Sequence, residues 1–203
     1  MSQATTEPRQ TDRRRIEIAA AARSLIAEQG FEGLRTRDIA ERVGINIATL
    51  HYHVPSKEAL VELVAQSLRD EFRAQFIRHS REGLSGLDEI RLEFADFRET
   101  LTDNREAFIV LAELSSRGKR DEKIATIMEP LKVFWHGMIA DIVRRGCADQ
   151  SFRSDLDPAA TARVVIGAMI DSQRYSGDTI AIFDEVVAEL ELLLANPSSS
   201  SKS

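Results

Sequence analysis

The chain has a single cysteine, Cys147, and only four histidines among its 203 residues. One cysteine excludes an internal disulfide framework and a zinc site built from several cysteines. The histidines are scattered without metal-ligand spacing, so neither a metal nor another cofactor is expected. No apolar run approaches the roughly 20 residues of a membrane-spanning helix, and residues 1–10 lack the apolar centre of an export signal. The composition therefore predicts a cytoplasmic protein without membrane attachment.

The net charge of −6 argues against a nucleic-acid partner, but the charge is unevenly distributed. Residues 1–60 hold nine Lys or Arg against eight Asp or Glu, whereas the remainder holds 18 against 25. Four arginines lie close together near the start, namely Arg9, Arg13, Arg14 and Arg15. This asymmetry is a mild indication of nucleic-acid contact at one end. A solvated basic tail is the alternative, and composition alone favours it.

Prolines and glycines are few, and they lie mostly between stretches in which apolar residues recur with helical periodicity. No run alternates as strands do, so the pattern predicts an all-α protein of about nine helices. Capping signals at Ser56, Ser85, Asp103, Asp157 and Asp178 mark helix starts, and Pro130 should kink the helix that contains it. The expected helices are about 12–29, two short ones after Thr36 and Asn46, a long one after Ser56, then 87–102, 105–117, 121–146, 158–175 and 179–195.

Residues 36–54, TRDIAERVGINIATLHYHV, have the pattern of two short helices joined by a tight turn. Ile39 and Ala40 give the first helix an apolar face, Gly44 permits the positive φ of the turn, and Leu50 anchors the second helix. The outer face of that second helix carries small apolar, hydroxyl and ring side chains instead of Lys, Glu and Gln. These types suit thymine methyls, base edges and phosphates, which indicates DNA binding.

Three segments, LRTRDIAERVG at 34–44, ATLHYHVPSKEAL at 48–60 and Phe31 after Gly30, resemble the tetracycline-repressor (TetR) family. The resemblance is close over roughly residues 12–65. It implies an N-terminal three-helix helix-turn-helix head joined to a C-terminal helical domain for ligand binding and dimerisation. Members of that family are homodimers, usually repressors, that leave the operator when a small molecule binds. Two positions depart from the family pattern, because it commonly has tyrosine at His51 and phenylalanine at Val54.

The resemblance also implies roles for individual residues. Thr36 resembles a phosphate contact, Arg37 a base-reading position, and Lys57 a contact that positions the DNA backbone. Capping alone is the alternative role of Thr36 and Asn46, and a solvated side chain is the alternative for Arg37. The predicted DNA-contacting residues are Thr36, Arg37, Asn46, Ile47, Ala48, Thr49, His51, Tyr52, His53 and Lys57. A metal site at His51 and His53 is rejected, because residues two apart lie on different faces of a helix.

The C-terminal helices are rich in aromatic residues and methionine. Such positions more often belong to a core than to a pocket. A triangle of helices lined with Phe, Trp and Met beside a kink would nevertheless accommodate an apolar ligand. The predicted ligand-contacting residues are Phe94, Phe97, Phe108, Leu111, Met128, Phe134, Trp135, Met138 and Tyr175.

The last two helices carry more apolar surface than one buried face requires. In the first of them Val164 and Ala168 lie outside the main apolar stripe, and in the last one apolar residues cover more than a single face. A four-helix interface between two copies would bury the excess, with Gly167 and Ala168 allowing close approach. The pattern therefore predicts a homodimer through these helices.

The sequence as a whole predicts a homodimeric regulator, most simply a repressor released from a palindromic operator by a small apolar or amphipathic effector. The expected divisions are a disordered basic arm at 1–11, a DNA-binding domain at 12–55, a ligand-binding and dimerisation domain at 56–195 and a disordered tail at 196–203. The alternatives are an all-α enzyme and a helical protein-binding adaptor. No catalytic triad, phosphate loop or paired-carboxylate motif supports an enzyme.

Overall fold

A computed structural model describes residues 10–173 and 178–197 of the chain. Over these residues it contains nine α-helices, one 3₁₀ turn at Phe31–Gly33 and no strand beyond a single bridge, which confirms the all-α prediction. None of the helices in this part of the chain is long and apolar enough to cross a membrane. The helices are α1 Gln10–Gln29, α2 Thr36–Val43, α3 Ile47–His53, α4 Lys57–Ile77, α5 Gly86–Asp103, α6 Arg105–Gly118, α7 Glu122–Ala148, α8 Pro158–Ser172 and α9 Thr179–Leu194.

Side-chain caps fix four of the helix starts where the sequence predicts them. Ser56, Ser85, Asp157 and Asp178 each accept a backbone N–H from the first turn of the following helix, over distances of 2.6 to 3.1 Å. Each cap satisfies a donor that the helix itself leaves unpaired and stabilises the helix by about 1 kcal/mol. Short local signals therefore determine where α4, α5, α8 and α9 begin.

Two boundaries in the first half of the chain differ from expectation. Helix α1 begins at Gln10, two residues before the predicted start, because nothing in the residue types at positions 10 and 11 opposes a helix. Residues 10 and 11 of the expected arm therefore belong to a helix. Asp103 does not cap α6: it is the last residue of α5, and Asn104 alone separates the two helices.

The C-terminal end also differs. Helix α8 ends at Ser172, and Tyr175 lies outside the described residues, as do 1–9 and 198–203. Asn196, the first residue of the expected tail, is held by the rest of the chain. Its backbone N–H donates to the carbonyl of Ser151 at 3.0 Å and its side-chain amide donates to the carbonyl of Gln150 at 3.1 Å. These bonds extend the ordered structure past α9.

The helices divide between two compact units. The first unit combines Met1–Phe72 with Arg105–Leu131. Its core lies among α1, α2, α3, the first part of α4, α6 and the start of α7. Arg23 of α1 links three of these helices, because its guanidinium contacts Glu71 of α4 at 2.5 Å and Glu106 of α6 at 3.4 Å. This unit contains the predicted helix-turn-helix.

The second unit combines Arg73–Asn104 with Lys132–Ser203. Phe97 of α5 stacks on Trp135 of α7 and on Phe183 of α9, with ring centroids 5.9 and 5.2 Å apart. Elsewhere in this unit α5 and α7 approach so closely that a Cβ atom on Gly86 would lie 2.3 Å from the Cα of Gly146. Glycine is therefore required at position 86.

Three buried carboxylates lie along one face of α5 in the second unit, at Glu89, Glu93 and Asp96. Arg145 binds Glu89 through two hydrogen bonds of 2.6 and 2.7 Å, and Arg81 binds Glu93. Burial raises the pKa of Glu93 to about 7 even though Arg81 acts in the opposite direction. Charging this carboxyl therefore opposes folding.

The raised pKa predicts how stability varies with pH. In the unfolded chain a Glu side chain titrates at about 4.3. Protonated Glu93 therefore contributes fully to the free energy of unfolding below that pH, and this contribution is lost as the pH rises through about 7. Glu93→Gln stays neutral throughout. In urea unfolding followed by circular dichroism, we expect the stability of the native chain relative to Glu93→Gln to fall between pH 4.5 and pH 7.5.

Glu99→Gln is the control for this experiment. Glu99 lies on the same helix, and its hydrogen bond with Arg78 lowers its pKa. A lowered pKa has the opposite effect on stability, so the difference between the native chain and Glu99→Gln should not fall as the pH rises through this window. If the native chain and Glu93→Gln gave parallel stability curves, the raised pKa of Glu93 would be contradicted.

Candidate nucleic-acid interface

The turn between α2 and α3 depends on Gly44. This residue adopts the left-handed conformation, with φ 70° and ψ 37°. Its N–H donates to the carbonyl of Glu41 at 3.1 Å, and the N–H of Ile45 donates to the carbonyl of Ala40 at 2.9 Å. Both bonds satisfy carbonyls at the end of α2. Any other residue type at position 44 would be strained, since an L side chain rarely adopts this φ.

Helix α3 is fixed at its start by a cap and from beneath by a buried leucine. The side-chain oxygen of Asn46 accepts the N–H of Thr49 at 2.7 Å, and Leu50 is buried in the core of the first unit. The capping role of Asn46 is therefore present. Thr36 is not a cap, because it is the first residue of α2 and the cap position is occupied by Arg35, whose side chain makes no capping bond.

The ten predicted DNA-contacting residues all belong to the first unit, in α2, in α3 with its cap and at the start of α4. Eight of them are exposed, and Thr49 and His53 are partly buried. On α3 the exposed fraction is 47% for Ile47 and 81% for Tyr52, which is high for large side chains with much apolar area. The ring of Tyr52 meets the ring of His53 edge to face, with centroids 5.2 Å apart. The outer face of α3 thus offers methyl, hydroxyl and ring groups to a partner.

The cations near this face differ in whether they have partners. Arg42 is engaged by Glu28 through two hydrogen bonds of 2.8 Å. Arg37 is exposed and makes no ion pair or hydrogen bond with the residues that the structure describes. Lys57 is also exposed, and its ammonium lies 4.2 Å from the ring centroid of buried Phe31. Arg37 and Lys57 therefore remain available to an anionic partner.

Sequence reasoning missed Arg15 as a residue of this site. Its guanidinium donates to the carbonyl of His53 at 3.3 Å, which ties α1 to the last residue of α3. A cation at a helix C-terminus also interacts favourably with the unpaired carbonyls there. The run of arginines near the start of the chain indicated contact with a nucleic acid. The hydrogen bond itself joins residues 38 positions apart, and residue spacing does not predict it.

The predicted ligand-contacting residues are distributed over both units. Phe108, Leu111 and Met128 lie in the first unit, whereas Phe94, Phe97, Phe134, Trp135 and Met138 lie in the second. The structure brings Phe97 and Trp135 into stacking contact within the second unit. Among the eight that are described, the buried residues are Phe94, Phe97, Phe108 and Met128, and the others are partly buried.

A cavity of about 730 Å³ lies between α4 and α7 within the first unit, and none of the predicted ligand-contacting residues lines it. No group of three or more His, Cys, Asp or Glu side chains suited to a metal ion occurs in the described part of the chain. The lining residues of the cavity are Ser56, Glu58, Ala59, Glu62, Ala65, Gln66, Arg69, Lys123, Thr126, Ile127, Pro130 and Leu131.

Comparisons with known proteins match both the head and the whole fold. The sequence model of a family described as bacterial regulatory proteins of the tetR family matches residues 18–64, a span that includes every predicted DNA-contacting residue. The HTH-type transcriptional repressor KstR2 of Mycolicibacterium smegmatis is 29% identical over 150 residues, which cover 74% of this chain and 73% of that repressor.

Two solved structures share the fold. A putative TetR-family regulator from Rhodococcus sp. has a TM-score of 0.79 at 22% identity, covering 89% of this chain and 98% of its own. The regulator FadR from Bacillus subtilis, in complex with stearoyl-CoA, has a TM-score of 0.76 at 16% identity, covering 88% and 98%. In the family match over residues 18–64, in the repressor relative and in the shared fold, the chain is similar to the TetR family of DNA-binding transcription regulators.

Proposed function

We propose that the protein is a homodimeric repressor that leaves a palindromic operator when a small apolar or amphipathic effector binds its C-terminal helices. The observation that carries the proposal is the exposure of the outer face of α3, which is rich in methyl and ring groups. A helix face of this composition is better suited to contact with the major groove of DNA than to contact with water. Residues 12–55 would bind DNA, and residues 56–195 would bind effector and dimerise.

Arg37 and Lys57 have different proposed roles at the operator. Arg37 stands in the first turn of α2, where an unpaired guanidinium can form two hydrogen bonds to a guanine. Lys57 is the first residue of α4, and its ammonium suits a phosphate, which is the same at every base pair. The other predicted residues supply contacts from α3 and from the start of α2.

Arg37→Ala should reduce operator affinity by about 1–3 kcal/mol and relax the preference at one operator position. Lys57→Ala should weaken binding to all sequences alike and flatten the dependence on salt by about one counterion. Fluorescence anisotropy on a duplex selected from random DNA, and on single-base variants of it, measures both effects at several salt concentrations.

Arg42→Ala is the charge-matched control. Its guanidinium is bound to Glu28, so its removal should leave the preferred sequence unchanged. If Arg37→Ala and Lys57→Ala both reduced the affinity for all DNA sequences alike, a base-reading role for Arg37 would be contradicted. Binding that does not respond to salt at all would contradict DNA binding and favour a protein partner instead.

The proposed dimer interface rests on apolar residues that α8 and α9 leave exposed. Val164 is 61% exposed on α8, and Leu192 is 75% exposed on α9. Gly167 is also exposed on α8, where a small residue permits another helix to approach. By contrast, Leu190 and Leu194 are buried within the chain itself. A second copy that packed against α8 and α9 would bury the exposed set.

The double variant Val164→Asp with Leu192→Asp should sediment as a monomer at micromolar concentration, while the unaltered chain sediments as a dimer. Charged groups cannot be buried unpaired without a large cost, so the interface should not form. The control is Ile77→Asp, which alters an apolar residue 69% exposed on α4 and should leave the dimer intact. A monomeric unaltered chain, observed by sedimentation velocity over this range, would rule out the dimer.

The proposed effector is apolar or amphipathic, and the complex of FadR with stearoyl-CoA supports this class. In the second unit the proposed contacts are the aromatic and methionine residues around Phe97 and Trp135. The three predicted contacts in the first unit remain predictions. Release from DNA requires that the effector bind one conformation of the protein more tightly than the DNA-bound one. Helix α4 joins the head to the rest of the chain without a break and is the proposed route of that coupling.

A further inference from the structure

The cavity between α4 and α7 is lined by apolar residues, here called its floor, and by charged residues, here called its rim. Helix α7 contributes Ile127, Pro130 and Leu131, and α4 contributes Ala59 and Ala65. Its volume of about 730 Å³ is within the range of about 300–1,000 Å³ that small-molecule sites occupy. The floor can therefore bury the apolar body of a small molecule. The charged residues of the rim are Glu58, Glu62, Arg69 and Lys123.

The charges on the rim are only partly matched with each other. Lys123 donates to Glu58 at 3.1 Å, so these two residues neutralise one another across the cavity. Arg69 is partly buried and makes no hydrogen bond or ion pair with residues 10–173 or 178–197. A guanidinium that is partly removed from water and has no anion beside it is a favourable site for one. Glu62 is also unmatched within those ranges, but it is exposed and its charge is screened by water.

Helix geometry places the unmatched anion and cation of the rim at different positions along the cavity. Glu62 and Arg69 are seven residues apart on α4, or about 10 Å along the helix axis, and Arg69 lies at the far end from the head. Pro130 has no backbone N–H, so the carbonyl of Thr126 lacks its usual helical partner at this wall. That carbonyl can accept a hydrogen bond from a hydroxyl group or from water.

We propose that this cavity is a binding site for an amphipathic carboxylate. The carboxylate would bind the guanidinium of Arg69, and the apolar chain would cover Ile127, Pro130 and Leu131. Neither Phe97 nor Trp135 is among the residues that line the cavity. Its effect on DNA rests on the proposed function: Ser56 and Glu58 in its wall belong to the start of α4, so a molecule held between α4 and α7 acts on the helix that follows the head.

The test uses decanoate with the full chain, labelled with ¹³C in the alanine methyl groups. We expect the methyl signals of Ala59 and Ala65 to shift as decanoate is added. Calorimetry should show that Arg69→Gln weakens binding about tenfold or more, because it removes a charge-assisted pair. Arg69→Lys should retain part of the affinity. The matched control is Arg73→Gln, an exposed arginine of the same helix that does not line the cavity and should bind decanoate as the native chain does.

A second variant tests the cavity independently of charge. Thr126 is exposed at the wall, and its hydroxyl bonds only to the carbonyl of Glu122 on its own helix. Thr126→Phe should therefore fill the cavity without disturbing the core and should abolish the methyl shifts. Decyltrimethylammonium, which has the same chain length and the opposite charge, should bind at least tenfold more weakly than decanoate.

Three results would overturn the proposal: no shift of Ala59 and Ala65, equal affinity of Arg69→Gln and the native chain, or equal binding of the two amphiphiles. If decanoate instead changed Trp135 fluorescence independently of Arg69, the effector function would stand and the cavity would not be its site. Decanoate that occupies the cavity without changing operator affinity would overturn the regulatory role and leave the binding site in place.

Discussion

The DNA-binding surface depends on how a helix of only seven residues is held in place. A helix as short as α3 is not stable by itself in water, because two turns do not offset the cost of nucleation. Its stability comes from its ends and its inner face: Asn46 caps the start, Leu50 is buried beneath, and Arg15 contacts the carbonyl of the last residue. Since none of these contacts uses the outer face, Ile47 and Tyr52 can stay exposed for a partner.

Ion pairing separates the structural arginines from those available for binding. Arg23, Arg81 and Arg145 bind carboxylates and hold helices together within a unit. Arg37 and Arg69 have no such partner among the described residues, and both are proposed contacts for anions. A net charge of −6 therefore says little about partners, because ion pairs cancel in it and unpaired cations such as Arg37 and Arg69 are still able to bind anions.

Features set by neighbouring residues could be predicted from the sequence, and features set by distant residues could not. The caps at Ser85 and Asp157 and the turn at Gly44 each depend on a few consecutive positions. The cavity between α4 and α7 is formed by segments that are some 60 residues apart, as the ion pair of Glu58 with Lys123 shows. Apolar periodicity predicted α7 as a helix, but it could not indicate which residues of that helix line a cavity with α4.

Helix α4 follows the head and runs into both compact units, so the proposed regulation depends on this helix. The chain passes between them at 72/73, 104/105 and 131/132. The first and last of these points lie inside α4 and α7, where backbone hydrogen bonds continue across the boundary, whereas the middle one adjoins Asn104 between two helices. To reverse a 99:1 preference between two conformations, a ligand must bind one of them more tightly by about 5.5 kcal/mol. This is more than one charged hydrogen bond contributes. The amphipathic effector proposed above would add an apolar contact to a charged one.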